Sequence, residues 1–149
     1  MSEHRANITW VLETQSFAYK DYNREYSVRF EGGQAMRGSG APEFLGKAEH
    51  VNPEEMLVAS LSSCHMLTFL AVASKRGFIV ERYEDDAVGF MEKNVKGKLA
   101  VTRATLKPKV SFRDKSPDAE QLARIHETSH KECFIANSVL TEITVEPVL

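Results

Sequence analysis

The sequence predicts an α+β fold in which antiparallel sheets pack around one long central helix. Three observations lead there. Segments rich in β-branched and aromatic residues come in two blocks, one at each side of a long apolar stretch. That stretch, Met56 to Ser74, contains no Asp, Glu, Lys or Arg and is bounded by strong helix signals. A second helical segment interrupts the later strands, so strands and helices are grouped and do not alternate as βαβ units would.

In chain order, Asn7 to Glu13 is rich in Ile, Trp and Val and is expected as a strand. A second strand is expected over Glu25 to Glu31, ended by a turn at Gly32-Gly33. Arg37 to Val51 contains Gly38, Gly40, Pro42 and Gly46 and is expected as a loop. The long helix should run from Pro53 to Arg76. Asn52 is its cap and Glu55 has capping-box spacing. Pro53 suits the first helical position, Glu54 and Glu55 the positive end of the dipole, and Gly77 the left-handed stop. Such a helix spans about 36 Å.

Phe78 to Tyr83, Ala87 to Glu92 and Leu99 to Phe112 are expected as strands, with Asn94 to Lys98 as a hairpin turn. Pro108 marks the last of these as an edge or bulged strand. Ser116-Pro117-Asp118 starts a second helix with Ala119, Leu122, Ile125 and Ser129 facing inward. Cys133 to Val139 is short and irregular, and Thr141 to Val148 closes the chain as a strand with Ile143, Val145 and Pro147 on one face.

Composition narrows the function classes. A chain of 149 residues with 42% hydrophobic content is expected as a single domain over 1–149. Nineteen basic against 21 acidic residues give a net charge of −2, no footprint for nucleic acid or an anionic membrane. The N-terminal MSEHRANITW has no apolar signal core, and the expected location is cytoplasmic. Met56 to Ser74 is long enough to raise a membrane span, but it holds Ser60, Ser62, Ser63, His65, Thr68 and Ser74. A helix apolar nearly all round is instead expected at the centre of a homodimer.

Two cysteines, Cys64 and Cys133, carry the chemistry. Two buried inert thiols are the bland reading of a leaderless chain. Cys64 lies mid-helix in Leu61-Ser62-Ser63-Cys64-His65, where burial disfavours a thiolate, so a nucleophile there needs a nearby cation. His65 projects about 100° away around the helix, which makes an Arg from another element the better candidate.

Asn52-Pro53-Glu54-Glu55-Met56-Leu57 followed by Ala59-Ser60-Leu61-Ser62-Ser63-Cys64 resembles the hallmark of the OsmC/Ohr family. The late Cys133-Phe134-Ile135-Ala136-Asn137-Ser138-Val139 fits that family's second cysteine, although many members have Cys-Pro where this chain has Phe134. The resemblance implies an OsmC-like fold, an intertwined homodimer and a thiol peroxidase. In that role Cys64 attacks an organic hydroperoxide and Cys133 resolves the sulfenic acid as a disulfide. An Arg, here Arg24 with Arg29 and Arg37 as alternatives, polarises the peroxide, and Glu54 orients it. Electrons would come from a thiol reductant, a lipoyl group or small dithiol, and no cofactor is implied. Glu54 stands about 15 Å from Cys64 along one helix, so Arg and Glu54 act either in cis through an extended guanidinium or across the dimer. Met66, Leu67, Phe69 and Leu70 supply an apolar surround that suits an organic peroxide.

Two other readings compete. One is a non-catalytic relative that binds a small apolar ligand in the dimer groove. The other is a zinc peptidase, from His126-Glu127-Thr128-Ser129-His130, which matches H-E-x-x-H but lacks an evident third ligand. The bland reading of His126 and His130 is a pair of solvated side chains on an outer helix face.

Overall fold

Strands β1 (Ala6–Thr9), β2 (Tyr26–Phe30) and β3 (Ala35–Gly38) form an antiparallel sheet in the order β1-β2-β3. The computed structural model describes residues 1–149, and the chain divides into two units, Met1–Met56 and Leu57–Leu149. In the first unit, the expected strand Asn7 to Glu13 is shorter at its end. Pairing stops at Thr9 opposite Ser27. Beyond it the Asn23 side chain takes over the bonding, donating to the Val11 carbonyl at 2.9 Å and accepting from the Glu13 N–H at 2.9 Å.

The expected loop from Arg37 also changes, because Arg37 and Gly38 belong to β3. Gly33, at φ +90°, turns the chain so that Ala35 to Gly38 pair back on β2. Cross-strand bonds of this kind outweigh a glycine-rich composition. Gly38 faces Tyr26, whose ring lies 2.4 Å from where a Cβ would be. That close approach requires glycine.

Helix α1 (Pro53–Lys75) begins as the sequence predicts. Asn52 Oδ1 accepts the Glu55 N–H at 2.8 Å, and Glu55 Oε1 accepts the Asn52 N–H at 3.3 Å. Its end is a Schellman turn: Gly77 has φ +80°, its N–H reaches the Ser74 carbonyl, and the Phe78 N–H reaches that of Ala73. Length and composition alone would let α1 cross a membrane. Its buried stripe, Leu61, His65, Phe69 and Ala73, recurs every fourth residue.

In the second unit β4 (Ile79–Asp85) pairs antiparallel with β7 (Pro108–Arg113). A separate sheet has the order β5-β6-β8, from β5 (Val88–Lys93), β6 (Leu99–Leu106) and β8 (Glu142–Val145); β8 runs parallel to β6. Pro108 therefore divides the expected Leu99–Phe112 strand between two sheets. Lacking an N–H, it can open a strand but not continue a ladder. The β5–β6 turn is closed by Asn94, whose Oδ1 accepts from the N–H groups of Lys96 and Lys98 at 2.9 and 3.0 Å.

Helix α2 (Ala119–Glu132) starts at Asp118 with a full capping box to Gln121. Phe69 and Ala73 of α1 meet Ile125 of α2 in the core, with Val80, Tyr83 and Phe112 packed around them. The inner face of α2 is Ile125, His126 and Ser129, with Leu122 half-buried and Ala119 exposed. His126 is thus not a solvated side chain: it is only 4% exposed. It faces inward because α1 presents a ring nitrogen of His65 to receive it, a partner that a sequence pattern does not reveal. His130 is half-buried.

Candidate functional site

Cys64 is half-buried on α1, three turns from the helix start, and Cys133 is the C-cap residue of α2, 1% exposed. Both thiols are free. The turn after α2 is held by Asn137, whose side-chain N–H donates to the carbonyls of Lys131 and Cys133, both at 2.9 Å. It places the Cys133 sulfur where it accepts the Ala136 N–H at 3.4 Å.

Burial pushes the Cys133 thiol up from its ordinary value. The Ala136 N–H works the other way, and the neighbouring Cys64 thiol pushes it up further. The fold therefore brings the two cysteines together and makes them unequal: one partly open, the other buried and held protonated.

In the first unit, the Arg24 guanidinium donates to the carbonyls of Tyr19 and Tyr22 and lies 3.6 Å from the centre of the Tyr22 ring. Glu54, half-buried, has an Oε2 with no hydrogen-bond partner, and no ion pair joins it to Arg24. Its charge lies close enough to Tyr26 to add to the upward push that burial gives that phenol. Arg29 is exposed on β2, and Arg37 on β3 lies 3.9 Å from Glu13. Glu25 is nearly buried and bonded to Lys47 at 2.6 Å; that bond, ahead of the opposing burial, holds its carboxyl below the usual range.

Sequence reasoning missed a second cluster. His65 Nε2 and His126 Nδ1 are 3.1 Å apart, with their rings 6° from parallel and Phe69 against His126. Burial drives both imidazoles down to about 4; the charge of His130 adds to the effect at His65, and Asp85 opposes it. Asp85 is fixed by Ser62 Oγ at 2.5 Å and by the Lys107 N–H at 2.6 Å. The only sequence signal was that His65 lies four residues from both Leu61 and Phe69 on apolar α1, and that His126 follows the apolar Ile125 on the amphipathic α2. Within H-E-x-x-H, Glu127 is paired with Lys131 at 2.9 Å, and no three His, Cys, Asp or Glu side chains stand together as metal ligands.

A long helix carrying one of two neighbouring thiols, in a chain that otherwise forms small sheets and a second helix, defines an α+β protein of the OsmC-like class. The chain belongs to the OsmC-like protein family, whose pattern matches residues 46–148. An OsmC-like protein of unknown function from Vibrio cholerae O1 biovar eltor is 44% identical over 99% of this chain and 100% of its own, with a TM-score of 0.95. Two organic hydroperoxide resistance proteins share the fold at low identity. The one from Elizabethkingia anophelis is 15% identical, with a TM-score of 0.73 over 99% of this chain and 94% of its own. The other, OhrB of Bacillus subtilis, is 14% identical, with a TM-score of 0.68 over 99% and 98%. None of the curated proteins matches the sequence.

Proposed function

We propose that the protein is a cysteine-based peroxidase that reduces organic hydroperoxides to alcohols. One observation carries this reading: two free thiols lie side by side, and only Cys64 has access to solvent. The accessible sulfur is the one a peroxide can meet. The Cys64 thiolate attacks the terminal oxygen of ROOH, the O–O bond breaks, and the alkoxide takes a proton to leave as ROH. The sulfur, oxidised by two electrons, is left as a sulfenic acid. The Cys133 thiolate then attacks that sulfur, hydroxide departs as water, and the Cys64–Cys133 disulfide forms. A dithiol reductant, lipoyl or small, restores both thiols and is itself oxidised to a disulfide. Holding Cys133 protonated until this step suits a resolving cysteine, since it keeps the buried sulfur from reacting first.

Family resemblance assigns peroxide polarisation to Arg24, with Arg29 and Arg37 as alternatives, and the orientation of that guanidinium to Glu54. The unpartnered Glu54 oxygen supports this assignment, because it is an acceptor to which a guanidinium can move. We read 1–149 as one domain working as a cytoplasmic homodimer.

Mass spectrometry of the protein before and after one equivalent of cumene hydroperoxide tests the reading. A linked Cys64–Cys133 peptide with loss of both thiol hydrogens is expected. Free thiols alongside unconsumed peroxide would refute it.

A further inference from the structure

A cleft of about 280 Å³ opens between α2 and the end of the chain. One wall is apolar, built from Ile143 and Val145, which the period of β8 sets on one face, with Pro147 just beyond the strand and Ala123 of α2. The other wall is His126, Glu127 and His130. No cysteine lines it. Two of its polar atoms are buried without a partner, His126 Nε2 and His130 Nδ1. Buried polar atoms cost roughly 1–3 kcal/mol when left unpaired, so native proteins satisfy them.

We propose that this cleft is a binding site, separate from the two thiols, for a small uncharged alcohol: an apolar body bearing one hydroxyl group. Size sets the first limit. At roughly 30 Å³ per liquid water the cleft holds about nine waters' volume, room for a six-membered ring with one substituent.

Charge sets the second. His126 is neutral at physiological pH, so its buried ring offers no cation to an anionic ligand. Glu127 at the cleft repels an anion and is already committed to Lys131 against a cation.

Hydrogen-bond chemistry sets the third. His126 Nδ1 is taken by His65 Nε2. If His126 donates in that bond, its Nε2 is a bare acceptor. If His65 donates, His126 Nε2 carries the proton and is a donor. The two tautomers interchange what the cleft presents, and a hydroxyl satisfies either. A carbonyl or carboxylate satisfies only one.

Titration of methyl- and imidazole-labelled protein with cyclohexanol, followed by NMR at neutral pH, tests the proposal. Saturable shifts are expected at the Ile143 and Val145 methyls and the His126 ring nitrogens, with cyclohexanecarboxylate binding at least about tenfold more weakly. Ala123→Trp, at an exposed α2 position, should remove saturable binding and leave hydroperoxide consumption unchanged. Absence of saturation, equal or tighter carboxylate binding, or undiminished binding in Ala123→Trp would each overturn it. So would occlusion of the cleft by a second copy of the chain, seen as no saturation together with altered sedimentation in Ala123→Trp. Should Ala123→Trp fail to fold, the alcohol-to-carboxylate preference of the unaltered protein still decides the matter.

Discussion

Cys64 and Cys133 differ in what surrounds each sulfur, and that difference predicts how variants divide. Cys64→Ser is expected to abolish hydroperoxide consumption, whereas Cys133→Ser consumes one equivalent and stalls as a sulfenic acid or over-oxidises to a sulfinic acid. Stopped-flow mixing with cumene hydroperoxide separates them, and the reverse pattern exchanges the two roles. Arg24→Ala should slow the first step at least about tenfold while leaving disulfide reduction by a dithiol near its normal rate. The imidazole pair makes a different prediction. His65 and His126 are neutral in the folded chain down to about pH 4, whereas unfolded histidines titrate near 6.5. Between those values the unfolded state binds more protons, so stability is full above pH 6.5 and is lost as pH falls toward 4, by up to about 3 kcal/mol per ring. Urea midpoints measured from pH 7 to 4.5 should fall, and His126→Phe should flatten the slope. An equal slope in the variant would show that other groups carry it.

At the scale of elements, ends matter as much as middles. Asp118 satisfies the first turn of α2, and Asp118→Ala is expected to lower stability by about 1 kcal/mol with an unchanged denaturant slope. A loss no larger than that of a surface substitution would mean that water replaces the cap. Both helices were legible in the sequence because their caps, Asn52 with Glu55 and Asp118 with Gln121, are local: donor and acceptor lie three residues apart. The stop at Gly77 was legible for the same reason. What was not legible depends on distant partners. β3 exists because β2 is beside it, β7 leaves β6 because β4 receives it, and His126 turns inward because His65 meets it. The candidate site divides along the same line. The cysteines and their pairing were implied by the residues around them, but the burial of Cys133 comes from how α2 ends. Arg24 shows the limit: its family role predicts an ion pair with Glu54, whereas two local carbonyls and the Tyr22 ring hold it here.

For the whole molecule, the decisive feature is how much of α1 a single chain leaves uncovered. Of its 23 residues only Leu61, His65, Phe69 and Ala73 are buried, and Leu67, on another face, is 63% exposed. Scattered exposed leucines need no explanation, but Leu67 lies in a stretch of α1, Met56 to Ser74, that carries no charged side chain and buries only one stripe. The proposed homodimer covers it, and substitution can separate that role from chain folding. In an isolated chain Leu67→Lys removes little buried area and should change stability by no more than about 0.5 kcal/mol. At a dimer interface the same change buries an unpaired ammonium, which costs far more than the lost leucine contacts. Leu67→Lys should therefore sediment as a folded monomer at micromolar concentration where the unaltered protein sediments as a dimer. Val95→Lys, in the solvent-exposed β5–β6 turn, should leave the dimer intact. A monomer for the unaltered chain, or an undisturbed dimer for Leu67→Lys, would mean that this face of α1 is not where two copies meet.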